Sequence, residues 1–166
     1  MTATMRAAVL HGPQDVRMEE VPSPSPGPGE VVVRVRAALT CGTDVKVFRR
    51  GYHARMITPP ALFGHEMAGV VVKQGPGATR IAVGETVAVE THIVDWTCYQ
   101  CQTGRAHVCQ NMKILGVHMP GAFAEYVVLP EMNAWVNVAS SLWSATSATC
   151  ATIGPDDVSP PRCPKR

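Results

Sequence analysis

The chain has 166 residues, which is enough for one domain with a hydrophobic core and too few for two domains of ordinary size. Hydrophobic residues make up 46% of it and charged residues 17%, a composition typical of globular proteins and not of disordered chains. The formal net charge of +2 gives no electrostatic reason to expect a nucleic acid or an anionic membrane as a partner. We therefore expect neither.

Short β-rich runs separated by glycine and proline turns predict a mainly β fold. The predicted strands, in chain order, are residues 6–10, 16–21, 31–37, 68–74, 86–90 and 123–129. Residues 23–30 (SPSPGPGE) predict a stiff connection with little room for a helix. One helix is predicted over residues 43–50, with Thr43 or Asp44 as its N-cap. Many short strands and few helices favour a β-barrel or a β-sandwich.

The composition changes after about residue 137. The last 29 residues contain eight serine or threonine residues and four prolines, and they show neither helical nor strand periodicity. Segments of this kind cannot bury enough apolar surface to fold. We therefore predict one domain over residues 1–137 and an irregular, disordered tail over residues 138–166.

Three cysteines and an aspartate are clustered in residues 95–109. Cys98 and Cys101 form a C-x2-C pair, Cys109 follows after seven residues, and two residues separate Asp95 from the pair on its other side. Such a pair presents two thiolates to one zinc ion, and a carboxylate can fill another corner of the tetrahedron. His107 is a rival ligand, and ordinary buried cysteines are the alternative. With no export signal visible at the start of the chain, we predict a zinc site in a reducing cytoplasm, with Asp95 or His107 as the fourth ligand.

Two further motifs, CGTD at residues 41–44 and GHE at residues 64–66, precede the cysteine cluster. With residues 90–137, they make the chain resemble the zinc-dependent medium-chain alcohol dehydrogenases, and among them the L-threonine 3-dehydrogenase group. The resemblance extends over about residues 5–137. It implies a GroES-like barrel with short helices and a structural-zinc lobe, in which Asp95 replaces the first of four cysteines.

The resemblance also implies a catalytic zinc site. In the family, the residues that match Cys41 and His65 bind this zinc, and the residue that matches Glu66 lies beside it or joins it. The residue that matches Thr43 conveys the substrate proton outward, and Lys46 stands where a relay histidine is usual. A small-molecule alcohol is the substrate that the family implies. Oligomers are common among full-length members.

Some expectations stay open at this point. His92 either lines the substrate cleft or has a hydrogen-bonded structural role, and Cys150 is a candidate for the fourth catalytic ligand. The family uses NAD, but no G-x-G-x-x-G fingerprint occurs between a predicted strand and helix. We therefore expect a truncated or frameshifted dehydrogenase that is inactive alone. The alternatives are a catalytically silent zinc-binding module and one half of a split enzyme.

Overall fold

The computed structural model describes residues 3–52 and 57–136. The predicted tail and Cys150 lie outside these residues. The strands are β1 (Thr4–Gly12), β2 (Asp15–Pro22), β3 (Glu30–Leu39), β4 (Ala61–Leu62), β5 (Glu66–Gln74), β6 (Thr86–Val89), β7 (His92–Ile93), β8 (Lys113–Ile114), β9 (Tyr126–Pro130) and β10 (Ala134–Val136). The helices are α1 (Gly42–Arg50) and α2 (Tyr99–Gln102), with 3-10 turns at Ala106–Val108 and Glu131–Asn133. The prediction of a mainly β fold with short helices is confirmed.

The strands form three antiparallel sheets. A five-stranded sheet has the order β10-β6-β5-β3-β9, a three-stranded sheet the order β2-β1-β4, and β7 pairs with β8. An isolated bridge between Ala7 and Ala124 connects β1 to the segment just before β9. In this bridge the Ala8 amide donates to the Phe123 carbonyl at 2.8 Å. The two larger sheets are therefore joined through main-chain hydrogen bonds.

The main hydrophobic core lies on one face of the five-stranded sheet, against the segments that follow β5 and β8. Its buried side chains include Val31, Val33, Met67, Val71, Ile81, Val87, Leu115, Val127 and Leu129. A smaller cluster, formed by Leu10, Val47, Ile57 and Phe63, packs α1 against β1. Within the described ranges, no helix combines the length and apolar character that a membrane crossing requires.

Most predicted elements lie within observed ones. The strand predicted over residues 86–90 is one residue longer than β6, and two other differences have a physical reason. The strand predicted from residue 123 begins at Tyr126, because Ala124 makes the isolated bridge to β1 before regular pairing starts. Helix α1 begins at Gly42 and its N-cap is Cys41, so the prediction of Thr43 or Asp44 as the cap is wrong. The cap was missed because Ser, Thr, Asp and Asn are the usual N-cap residues and a thiol is not.

Candidate metal centres

The pairing of β3 with β5 brings the CGTD and GHE motifs together. In this antiparallel pair, Leu39 at the end of β3 lies opposite Glu66 at the start of β5. Cys41 and His65, which lie just beyond these two residues, are therefore at the same end of the sheet. The Cys41 Sγ is 3.1 Å from the His65 Nε2, although 24 residues separate them in the chain.

Ligand atoms of Cys41, His65 and Glu66 all lie within 4.8 Å of one another, and all three residues are partly buried. We call this group the upstream cluster. Tetrahedral zinc would hold a sulfur and a nitrogen ligand about 3.5 Å apart, given Zn–S of about 2.3 Å and Zn–N of about 2.0–2.1 Å. The observed separation of Cys41 and His65 is shorter by about half an ångström, so a small opening would admit the ion.

Asp44 supports the upstream cluster from behind. Its side chain is 3% exposed. Its Oδ2 accepts a hydrogen bond from the Cys41 amide at 2.9 Å, and its Oδ1 lies 3.4 Å from the His65 Nδ1. A carboxylate behind a ligating histidine fixes the ring orientation and the tautomer. The sequence pointed to Asp44 only as a helix cap. The available signal was an acidic residue one helical turn after a ligand cysteine.

Backbone packing fixes the turn that leads into β5. Gly64 has φ of 89°, and a Cβ on it would lie 2.7 Å from the Phe123 ring. A Cβ on Gly116 would lie 2.2 Å from the Gly64 carbonyl oxygen, and one on Gly121 would lie 2.4 Å from the Phe63 backbone. We call Gly64, Gly116 and Gly121 the glycine contact. Close main-chain approach without side chains therefore sets the position of the histidine that follows.

The second group, which we call the zinc loop cluster, is Asp95, Cys98, Cys101 and Cys109. Their ligand atoms also lie within 4.8 Å of one another. The Cys98 Sγ is 3.5 Å from the Cys101 Sγ and 3.8 Å from the Cys109 Sγ, and tetrahedral zinc with Zn–S of about 2.3 Å requires about 3.8 Å. The rival ligand His107 is exposed and lies outside this group.

Local structure produces the zinc loop cluster. Cys98 is the N-cap residue of α2, and the single turn of that helix carries Cys101 to the same side. The 3-10 turn at Ala106–Val108 then ends at Cys109. Cys101 and Cys109 are both buried. The cluster therefore depends on contacts within about 15 consecutive residues.

The surroundings of the loop lower the pKa of some of its acidic groups and raise that of another. The pKa of Asp95 is far below its usual value, chiefly because the Asn111 side-chain amide donates to its carboxylate, with further hydrogen bonds from the Cys98 and Thr97 amides. Hydrogen bonds from the backbone amides of Cys101 and Gln110 lower the pKa of Cys98. Burial raises the pKa of Cys101 to about 12. Since zinc binds thiolates, metal binding to this loop would release protons.

Comparison with known proteins identifies the domain to which both clusters belong. Residues 27–139, more than half of the chain, match the alcohol dehydrogenase GroES-like domain. The chain belongs to this family. The predicted resemblance to the zinc-dependent alcohol dehydrogenases is confirmed.

Relatives of this GroES-like domain are dehydrogenases. An L-threonine 3-dehydrogenase from Pyrococcus abyssi (strain GE5 / Orsay) is 48% identical over 138 residues, which cover 82% of this chain and 39% of that protein. A thermostable alcohol dehydrogenase from Pyrobaculum aerophilum, solved with cobalt and zinc bound, is 35% identical with a TM-score of 0.75, covering 81% of this chain and 42% of that one. A short chain alcohol dehydrogenase from E. coli CFT073, complexed with the cofactor NADH, is 36% identical with a TM-score of 0.73, covering 81% and 38%. The chain thus spans about two fifths of the length of these relatives.

Three other residues that the sequence pointed to, Thr43, Lys46 and His92, differ in their exposure and contacts. Thr43 is half-buried, and its amide donates to the Cys41 Sγ at 3.2 Å. Lys46 is exposed on α1. His92 lies 2.9 Å from the Glu90 Oε1 and lines a cleft of about 360 Å³. That cleft is lined by residues of the zinc loop and of β10, and it includes no member of the upstream cluster.

Proposed function

We propose that this domain binds two zinc ions and forms the metal- and alcohol-binding part of an NAD-linked dehydrogenase for a secondary alcohol such as L-threonine. The observation that carries this proposal is the convergence of Cys41, His65 and Glu66 from two distant segments at one end of the β3–β5 pair. The identity to L-threonine 3-dehydrogenases over 82% of the chain supports the substrate class.

The donor set of the upstream cluster fits a catalytic zinc. One thiolate, one imidazole and one carboxylate leave a coordination position for a substrate oxygen, as catalytic zinc sites require. Zinc bound there would supply Lewis acidity toward an alcohol oxygen. The protein's own contribution is positional: Asp44 holds His65 in place, and the Thr43 amide holds the Cys41 sulfur. We propose that the Thr43 hydroxyl relays the alcohol proton outward, accepting it on its oxygen while it gives up its own proton toward solvent.

The zinc loop cluster fits a structural zinc. It offers four ligands from one short segment, so no coordination position is left for a substrate. Its sulfur separations already match a tetrahedral ion to within about 0.3 Å. Since the four described cysteines are free thiols, we also propose that the protein works in a reducing compartment, the cytoplasm.

The cofactor is a separate part of the proposal. Holding the nicotinamide against the substrate carbon is the main task of the protein in a cofactor enzyme. The relatives have about three fifths of their length outside the match, and one of them is complexed with NADH. We propose that NAD binding belongs to that unmatched part and that the 166 residues alone neither bind NAD nor oxidise alcohols.

Two measurements test this proposal. Calorimetry with NAD on the purified chain should give no saturable heat, and saturable binding would contradict the assignment of cofactor binding to the unmatched part. Fusion of the chain to the remaining part of the Pyrococcus abyssi relative should give NAD-dependent oxidation of L-threonine or of a simple polyol. Cys41→Ser should abolish that activity, whereas Met18→Ser, at an exposed position on β2, should leave it unchanged. An active Cys41→Ser fusion would overturn the catalytic site.

A further inference from the structure

Within the described residues, three nitrogen donors hold the carboxylate of Asp95, and the Cys101 thiol is a further hydrogen-bond partner. The Asp95 Oδ1 accepts hydrogen bonds from the Thr97 amide at 2.9 Å and from the Cys98 amide at 3.0 Å. Its Oδ2 accepts a short hydrogen bond from the Asn111 side-chain amide. Two of these donors belong to the turn that leads into α2, and the third comes from the far side of the loop, two residues after Cys109.

The two oxygens of Asp95 differ in the acceptor capacity that they have left. A carboxylate offers about two lone-pair sites on each oxygen. The two backbone amides fill both sites of Oδ1, so this oxygen has none left for a metal. Oδ2 accepts a hydrogen bond from one nitrogen donor within the described residues. The Cys101 thiol also contacts the carboxylate, but it loses its proton when its sulfur binds zinc, so one site on Oδ2 is then free. The free site on Oδ2 is therefore the one through which Asp95 can bind an ion.

We propose that Asn111 positions Asp95 as the fourth ligand of the zinc loop by fixing the rotation of its carboxylate, with Oδ2 as the ligating atom. This inference rests on the proposed structural zinc. It assigns to Asn111 a role that neither the spacing of the cysteines nor the resemblance to the family indicates.

An aspartate needs such support more than a cysteine does. A cysteine has one ligating sulfur, whose position is set by a single staggered torsion, whereas an aspartate has a second torsion with broad, two-fold preferences and two candidate oxygens. Hydrogen bonds to a ligating carboxylate orient it, and loss of such an outer partner typically lowers metal affinity by about 10- to 100-fold. Because residue 95 is an aspartate and not a cysteine, the side chain at residue 111 has this additional task here.

A purely structural role for Asn111 is the competing explanation. The hydrogen bond from residue 111 to residue 95 also closes the loop, and loop closure would help any set of four ligands. The two roles differ when residue 95 is a cysteine. A positioning role then disappears, because no carboxylate remains to be oriented, whereas a loop-closing role is independent of the chemistry of the ligand.

The experiment is a double-mutant cycle on the full chain. All variants carry Cys41→Ser, so that the upstream cluster contributes no thiolate. Zn²⁺ affinity is measured by competition with a chromophoric chelator, and Co²⁺ substitution reports the ligands through its thiolate charge-transfer and d–d bands. We expect Asn111→Ala to lower Zn²⁺ affinity about tenfold when residue 95 is Asp. When residue 95 is changed by Asp95→Cys, the same substitution should change affinity by less than about twofold.

The d–d band gives a second readout that loop closure alone would not change. In Asn111→Ala the cobalt band should shift, because the carboxylate turns or gives way to water, while the thiolate charge-transfer band keeps its intensity. Gln110→Ala is the matched control, since Gln110 is an exposed neighbouring amide whose contact with Cys98 is made by its backbone, which the substitution keeps. Asn111→Leu keeps the volume without the donor and replaces Asn111→Ala if circular dichroism shows that the alanine variant is unfolded.

Three results would overturn the inference. If neither Asn111→Ala nor Asn111→Leu changes the Zn²⁺ affinity when residue 95 is Asp, the hydrogen bond does not matter for the metal. Equal losses with Asp and with Cys at residue 95 would assign Asn111 to loop closure. Absence of a thiolate charge-transfer band in the Cys41→Ser parent would remove the proposed loop zinc itself, and that failure is visible before any change at residue 111 is made.

Discussion

The two metal clusters use similar donor atoms but are assembled in different ways. The zinc loop cluster takes its four ligands from residues 95–109, and single turns of helix bring them together. The upstream cluster takes Cys41 from one side of the β3–β5 pair and His65 and Glu66 from the other. The spacing of four residues is therefore sufficient for one cluster, whereas the other depends on the register of a whole sheet.

This difference determines what a metal ion bound at each cluster would contribute to folding. Closing a loop of about 15 residues loses little conformational entropy, so zinc bound to it can order the loop almost independently of the sheets. The upstream cluster inherits its geometry from eight register pairs between β3 and β5, interrupted by two irregularities. We therefore expect damage to the sheet to affect the two sites unequally.

The largest expected effect follows from breaking the register. A Cβ on Gly69 in β5 would lie 2.2 Å from the Arg34 carbonyl oxygen of β3, so Gly69→Ala must push the two strands apart. We expect loss of metal from the upstream cluster, with the loop metal retained. Gly12→Ala is the matched control, because a Cβ on Gly12 meets nothing within 4 Å. Metal content per chain and the cobalt spectrum check the result; equal loss from both sites would show that the loop is not independent.

The second prediction concerns the loop ligands. Apparent zinc binding free energies of about 10–16 kcal/mol, divided among four ligands, give roughly 3 kcal/mol for each, or about 100-fold in affinity. Cys98→Ala should release the loop zinc, because it also removes the sulfur that lies near both other sulfurs. Asp95→Ala should lower affinity by about 100-fold and keep some metal, since water can replace a carboxylate. Chelator competition measures both; full retention of zinc by Cys98→Ala would exclude the proposed ligand set.

A smaller effect on metal affinity is expected from a substitution of Asp44, whose carboxylate contacts Cys41 and His65. Asp44→Asn keeps an acceptor for the Cys41 amide but removes the charge near the His65 Nδ1. Metal affinity of the upstream cluster should fall about 10- to 100-fold, and that of the loop should not change. Asp15→Asn is the control, because this exposed carboxylate on β2 pairs with Arg17 and is not a member of either cluster. Equal affinities in Asp44→Asn and in the unaltered chain would show that Asp44 acts only as a cap.

The smallest expected effect is on the pH dependence of stability, through the contact between Arg6 and Glu125 where the two larger sheets meet. The Arg6 amide, and then its guanidinium, hydrogen-bond to Glu125 and lower the pKa of that carboxyl. A lowered pKa stabilises the fold above the unfolded glutamate value of about 4.3, and this contribution is lost as the pH falls through the folded value. The urea midpoint of Glu125→Gln should therefore lie below that of the unaltered chain at pH 6, and the gap should narrow toward pH 3.

Glu20→Gln removes the same charge from β2 without breaking the Glu125 hydrogen bonds, and it is the control for this titration. If the difference in urea midpoint between Glu125→Gln and the unaltered chain stayed constant with pH, ionisation of Glu125 would not contribute to stability. The pairing is exposed, so we expect a small shift and no change at the zinc loop.

The residues that could be predicted from the sequence are those whose signal is local. The cysteine spacing indicated the members of the zinc loop cluster, and alternating or β-branched runs indicated β1, β2, β3 and β5. Recognition of CGTD and GHE indicated the upstream cluster, but their meeting depends on Leu39 lying opposite Glu66, and strand register over 27 residues has no local signature.

Two residues whose roles the sequence did not reveal, Asp44 and Asn111, act by positioning other side chains. Asp44 and Asn111 bind no proposed ion directly, and each acquires its role only when a partner from another turn is placed beside it. The cap at Cys41 was missed for a different reason, since a sulfur that accepts a hydrogen bond from the Thr43 amide is outside the usual N-cap preferences. Composition and periodicity carry no information on such pairs, because both describe residues one at a time along the chain.

The glycine contact has a consequence for laboratory evolution of this domain. Residues that line the cleft project from the backbone and can be randomised, but a side chain at Gly64, Gly116 or Gly121 would meet main-chain atoms or a packed aromatic ring at 2.2–2.7 Å. Libraries that alter substrate preference should therefore leave these three codons fixed. Substitutions near these glycines can change the side chains that a ligand meets. Substitutions at the glycines themselves would lower the yield of folded domain.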